Sequence, residues 1–250
     1  MTALPTAPVT SLAARAALGA IDSMVPRFQT VVDLATGNVV GIEALARWPT
    51  VYGVDPAEVF ALARSRGMTS DVDFACRSAA MKEARSARLT DGLVLYLNFE
   101  PSGIGDSART EAHLDALECD ADVVLEITER GLDLHPDRLR SMVRSARRRG
   151  FAIALDDVGS DRSTLRALSV VQPDIVKLDA SILRNGRSLK TAGVMFAVRR
   201  YVAATGAAVL AEGIESERDR ARAVRLGATL GQGWLFGAAL AGADVRTRMV

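Results

Sequence analysis

Apolar positions along the chain fall into two alternating rhythms. Eight short runs of seven to nine residues are almost wholly apolar: "FQTVVDL", "VVGIEALAR", "LVLYLNF", "DVVLEIT", "FAIALDD", "DIVKLDA", "AVLAEGI" and "ATLGQGWLF". Their length and flanking turn residues predict buried strands. Between them lie longer segments with helical spacing, among them "DPAEVFALARSRG", "TSDVDFACRSAAMKEARSARL", "HPDRLRSMVRSARRRG", "GRSLKTAGVMFAVRRYVAATG" and "SERDRARAVRLG". Asp55 is placed to cap the first of these, with Pro56 at its first helical position, and several end in glycine. "ATGN" between the first two runs signals a tight turn, so those two strands form a hairpin. Strands that alternate with helices imply a parallel sheet covered by helices. Eight such strands in one domain imply a (β/α)8, TIM-like barrel in which the hairpin sets one strand antiparallel.

Length and charge narrow this picture. A chain of 250 residues suits one large barrel, and no linker or internal repeat divides it. The expected organisation is a leader over residues 1–24, flexible or a short helix, then a barrel over residues 25–245. The leader has no basic segment before its alanines and Arg15 interrupts it, so a signal peptide is not expected there. No apolar run is long enough to span a membrane. A net charge of +1 argues against a surface dedicated to nucleic acid polymers. The basic stretch at residues 138–150 has no interleaved aromatics and is read as a solvated helix face. Cys76 and Cys119 are expected to be reduced thiols of a cytoplasmic protein.

Barrels of this kind do chemistry at the C-terminal ends of their strands. The polar residues closing the apolar runs are Glu43, Asn98, Glu126, Asp156 with Asp157, Lys177, Glu212 and Gln232. Carboxylates meeting in one low-dielectric mouth repel one another or protonate unless cations neutralise them. Oxygen ligands select hard ions, Mg²⁺, Mn²⁺ or Ca²⁺, over zinc, and the two histidines, His113 and His135, lie outside the strand ends. Adjacent aspartates suit a two-metal site in which an activated water attacks a phosphoester. Lys177, a lysine within a buried strand, must be paired and would stabilise developing charge.

The ordered blocks "IEALARW", "LNFEP", "LEITER", "LDDVGS", "VKLDAS", "LAEGIE" and "GQGWLFG" resemble the signatures of EAL-domain cyclic-di-GMP phosphodiesterases, from about residue 28 to 240. The resemblance implies a barrel with an antiparallel first strand, a homodimer through the active-site face, and hydrolysis of cyclic di-GMP to pGpG with two Mg²⁺ or Mn²⁺ ions per site, Ca²⁺ acting as an inhibitor. It assigns Glu43, Asn98, Glu126 and Asp156 to the first metal, and Asp156, Asp157 and Glu212 to the second. It makes Glu212 a general base, and Lys177 the group that holds the attacking water; Glu43 completes the catalytic set. Arg47, Leu45 and Gln232 fall at substrate-binding positions, and Glu129 and Glu215 at supporting ones. Trp48 and Trp234, next to signature positions, are candidates to shape a pocket for guanine.

Two departures carry expectations of their own. The loop after the paired aspartates, Val158 to Leu165, has Asp161 and Arg162 where the family has a glycine and an aromatic. In the family this loop couples the second metal to the dimer interface. The change favours a rival reading: a catalytically weak or inactive module that binds cyclic di-GMP and signals through a sensor or regulatory partner. The second departure is Glu100, which shares the strand face of Asn98 and is expected to add charge near the first metal. A phosphodiesterase acting on another nucleotide would use the same ligands.

Overall fold

The computed structural model describes residues 12–104, 107–118, 121–128, 136–160, 163–184 and 188–249. Cys119, Glu129, His135, Asp161 and Arg162 lie outside the described residues. The strands are β1 (Val25–Asp33), β2 (Val39–Arg47), β3 (Val94–Phe99), β4 (Val123–Ile127), β5 (Ala152–Val158), β6 (Ile175–Leu178), β7 (Ala208–Ala211) and β8 (Leu230–Gly231). They close into a barrel in chain order. β1 runs antiparallel to both β2 and β8, and every other neighbouring pair is parallel. The expected hairpin is therefore real, and its first strand is the reversed one.

Helices α1 (Leu12–Gly19), α2 (Pro56–Ser65), α3 (Thr69–Ser86), α4 (Ser107–Asp115), α5 (Pro136–Arg148), α6 (Ser163–Val171), α7 (Ala180–Arg184), α8 (Leu189–Thr205), α9 (Glu217–Leu226) and α10 (Gly242–Met249) accompany the strands. Asp55 caps α2 by accepting from the Ala57 N–H, with Pro56 at the first helical position. α8 and α9 end on left-handed glycines, Gly206 and Gly227. The basic α5 buries Leu139, Met142, Val143 and Ala146 and turns Arg138, Arg140, Arg144 and Arg147 outward. α1 buries Ala14, Ala17 and Leu18 in a cluster with Trp48, Val59 and Leu62 beside α2.

Each strand presents two faces, and their alternation positions the site. Outward residues such as Ile42, Leu95, Leu97, Leu125, Ile153, Leu155, Val176 and Val209 pack under the helices in the largest core cluster. Inward residues Val31, Tyr96, Val124, Ala154, Ile175 and Leu210 form a separate plug inside the barrel. One step of two residues further toward the mouth, the same inward faces carry Gln29, Asn98, Glu126, Asp156, Lys177 and Glu212. The period of two that makes a strand amphipathic thus stacks a polar layer directly on an apolar one. Gly41 belongs to this stacking, because a Cβ there would lie 2.7 Å from Tyr96 Cε2.

Candidate active site

Lys177 is fully buried at the centre of the polar layer. Its Nζ pairs with Glu126 Oε1 at 2.8 Å, Asp156 Oδ1 at 2.9 Å, Glu212 Oε1 at 2.9 Å and Glu43 Oε2 at 3.6 Å. Burial opposes the ammonium charge, but the four carboxylates outweigh it and hold the lysine well above its ordinary pKa. Glu126 moves the other way: burial and the neighbouring Glu43 and Asp156 push it well above the usual carboxylate range. Burial likewise pushes Glu212 up to about 8, against the pull of Lys177. Burial would raise Glu43 too, yet Lys177 and the amide donors Gln232 and Asn98 hold it below its ordinary value.

Glu43 is gripped from both sides. Its Oε1 accepts from Asn98 Nδ2 at 3.3 Å and its Oε2 from Gln232 Nε2 at 2.6 Å. Gln232 Nε2 also donates to Gln29 Oε1 at 3.1 Å, and Gln29 Nε2 donates to the Gly237 carbonyl at 3.1 Å. Gln29 was not singled out among the strand-end residues, because β1 runs backwards and its mouth end is its start. The signal was present: the hairpin register sets Gln29 opposite Glu43.

Asp156 and Asp157 are brought to one side by a break in β5. Asp157 adopts φ +53°, and the β5–β6 register shifts between Leu155 and Val158. This left-handed residue undoes the alternation that would send adjacent side chains to opposite faces. Asp156, Asp157 and Glu212 each then bring one carboxylate oxygen within 4.8 Å of the others.

The chemistry of these donors fits hard cations. Four carboxylates pair with one lysine and a fifth, Asp157, lies beside two of them, leaving four negative charges in excess when all are ionised, the charge two divalent ions would neutralise. Glu126 Oε2 is buried with no hydrogen-bond partner, a costly state for a carboxylate oxygen unless something else coordinates it.

Two spaces open beside this layer. A mouth pocket of about 350 Å³ is lined by Glu43, Leu45, Glu212, Glu215, Gln232 and Trp234, among others. A second cavity of about 200 Å³, between the ends of β2 and β3 and helices α2 and α3, is lined by Leu45, Arg47, Phe60, Asp73, Arg77 and Asn98 among others. Leu45 is the wall between the two. Arg47 is exposed and donates to the Ala46 carbonyl at 2.8 Å. Glu215 is exposed outside the lysine cluster, with Arg184 3.9 Å away.

Two expectations are corrected. Glu100 does not join the cluster around Lys177. β3 ends at Phe99 and a 3-10 turn begins at Pro101, so the inward face stops before Glu100. Its carboxylate instead accepts from Ser102 Oγ at 2.8 Å and pairs with Arg64 at 3.8 Å. Its N–H donates to Asp73, whose carboxylate is bound to Arg77 in a buried pair missed by the strand-end logic. Trp48 likewise does not line the mouth; it is buried edge-on against Phe60 at 6.5 Å. Trp234 does line it and is 74% exposed.

Strand order and mouth chemistry together describe a closed β/α barrel with a reversed first strand and an acidic, lysine-centred mouth. The chain belongs to the EAL domain family, whose model matches residues 13–239. It is 29% identical over 219 residues to the cyclic di-GMP phosphodiesterase RocR of Pseudomonas aeruginosa, covering 84% of this chain and 55% of RocR. Against the probable cyclic di-GMP phosphodiesterase PdeI of Escherichia coli the identity is 26% over 221 residues, covering 84% of this chain and 28% of PdeI. The chain thus spans about half or less of the length of these curated relatives. Among solved structures, the manganese/cy-diGMP complex of Klebsiella pneumoniae BlrP1 at pH 9.0 superposes with a TM-score of 0.76 at 27% identity, over 88% of this chain and 57% of that one. Among the described residues, no helix is long and apolar enough to cross a membrane.

Proposed function

We propose that this domain, the barrel of residues 25–245, is a divalent-metal-dependent phosphodiesterase that hydrolyses cyclic di-GMP to linear pGpG. The observation that carries the reading is the convergence of four carboxylates on the buried Lys177 at one barrel mouth, with Asp157 beside two of them and a buried oxygen of Glu126 left unpartnered. Similarity to RocR and to the BlrP1 complex supports the substrate.

Glu43, Asn98, Glu126 and Asp156 would hold one Mg²⁺ or Mn²⁺ ion, and Asp156, Asp157 and Glu212 a second. Such ions lower the pKa of water and neutralise the phosphoryl oxygens. Lys177 donates to the attacking water and fixes its position. Glu212 accepts the proton that water gives up as its oxygen bonds to phosphorus. The P–O3′ bond breaks, and the 3′ oxygen takes up a proton from solvent as it leaves, giving the 5′-phosphate and 3′-hydroxyl of pGpG. Gln232 orients Glu43 through the 2.6 Å hydrogen bond, and Arg47, at the end of β2, takes a phosphate oxygen. Glu215 supports the site from outside the lysine cluster, and a supporting role also falls to Glu129, which lies outside the described residues. The same reading includes a homodimer through the mouth face and a sensor or regulatory partner.

Following pGpG release with Mg²⁺, Mn²⁺ or Ca²⁺ tests the reading. Wild type turns over with Mg²⁺ or Mn²⁺ and not with Ca²⁺, and Lys177→Ala lowers kcat by about 10²–10³-fold. Glu43→Ala abolishes turnover. Tight binding with no turnover in wild type would mean a binding module instead of an enzyme, and turnover that survives Glu43→Ala would remove the site assignment.

A further inference from the structure

The mouth pocket contains a cation that the hydrolytic reading leaves unused. Arg184 is the last residue of α7 and the one cationic side chain among the residues lining that pocket, whose other charged members are Glu43, Glu212 and Glu215. Its side chain is 68% exposed, and its ion pair with Glu215, at 3.9 Å, is loose. Small residues clear its path. Gly213 has φ +67°, and a Cβ there would fall 2.5 Å from the Ala180 Cβ and 3.8 Å from Arg184 Nη2. The guanidinium therefore lies close to the bare backbone of Gly213, the residue after Glu212.

Trp234 belongs to the same pocket lining and is 74% exposed, although burial of such a ring is ordinarily favourable. A 3-10 turn between Gly233 and Gly237 carries it there. A pocket of about 350 Å³ with an exposed indole and a loosely held guanidinium suits a planar base with two acceptors on one edge. Guanine offers O6 and N7 in the spacing of the arginine fork, whereas adenine places an amino donor where O6 would be.

We propose that Arg184 is a specificity-determining residue that donates to O6 and N7 of one guanine of the dinucleotide while that base stacks on Trp234. The proposal rests on cyclic di-GMP being the ligand and goes further by naming the contact that selects guanine over adenine.

The test compares cyclic di-GMP with cyclic di-AMP for wild type, Arg184→Met, Arg184→Lys and Trp234→Ala. Affinity is measured calorimetrically in Ca²⁺ and turnover in Mn²⁺, with melting temperatures confirming that each variant folds. Arg184→Met is expected to lower the preference for cyclic di-GMP by about ten- to a hundredfold, through loss of guanine affinity and with little change in kcat. Arg184→Lys, which keeps the charge and loses the fork, recovers only part of that preference. Trp234→Ala weakens both dinucleotides, because stacking is tolerant of base identity. Equal weakening of both ligands by Arg184→Met would make Arg184 a phosphate contact and overturn the proposal, as would an unchanged preference. Guanine-selective binding without pGpG would sink the hydrolytic reading while leaving this one standing. Binding of neither dinucleotide would sink both.

Discussion

Gln29 shows how much of the site depends on a residue that touches Glu43 only through another. Glu43 can only accept hydrogen bonds, so the Gln232 amide must present its NH₂ group, and Gln29 Oε1 takes the second proton of that group. Gln29 is itself anchored by its donation to the Gly237 carbonyl. Without it, Gln232 is free to rotate and the carboxylate loses its fixed orientation. Gln29→Leu is expected to weaken Mn²⁺ binding and kcat by about ten- to a hundredfold, the usual cost of removing a group that orients a ligand. A Mn²⁺ titration followed by calorimetry reads this directly. Unchanged affinity would show that Glu43 holds its orientation without the chain of amides.

At the scale of the element, most of the barrel was legible and the exceptions share a cause. Each predicted strand exists, and the inward residue that follows the apolar plug by two positions is a predicted site residue in β3 through β7. Alternation is a local property, so the sequence displays it. What alternation does not reveal is where it stops. The left-handed Asp157 interrupts it within β5, and the 3-10 turn at Pro101 ends it before Glu100. Both are settled by neighbouring elements. Helices α4, α6, α7 and α10 were absent from the sequence-based assignment because they are short, at five to nine residues, and rely on packing more than on periodicity. Gly41 is a position where packing between elements decides a residue identity. Gly41→Ala would place a methyl 2.7 Å from Tyr96 Cε2 and 2.8 Å from the Val94 carbonyl oxygen. Tyr96 is 2% exposed, sits in the plug directly beneath Asn98, and has no room to yield. Overpacking of this sort costs about 1–3 kcal/mol, and for a domain of this size each kcal/mol lowers Tm by roughly 2–4 °C. A melting curve unmoved by Gly41→Ala would mean that the plug is looser than its contacts imply.

For the whole molecule, the decisive quantity is charge gathered from distant parts of the chain. The protein as a whole carries a net charge of +1, yet folding draws Glu43, Glu126, Asp156, Asp157 and Glu212 from the ends or exits of four strands, β2, β4, β5 and β7, to one mouth around a single lysine. No unfolded chain holds these groups together, so a cation that binds them binds the native state alone and stabilises it by mass action. At a free concentration about a hundred times its Kd, Mn²⁺ should contribute about 2.7 kcal/mol, which raises the melting temperature of the metal-free protein by roughly 5–10 °C. The gain is specific to the mouth: Glu212→Gln and Asp156→Asn remove ligands without removing volume, and each should lose most of the Mn²⁺-dependent shift. The metal-free variants report the other half of the same balance. Each removes one partly buried carboxyl group that burial or like charge disfavours in its ionised form, so neither should melt far below metal-free wild type, whereas Lys177→Met leaves buried carboxylates with no counter-charge and should. Differential scanning calorimetry with and without EDTA distinguishes these outcomes. A Mn²⁺ shift of equal size in wild type and in Glu212→Gln would place the stabilising cation somewhere other than the barrel mouth.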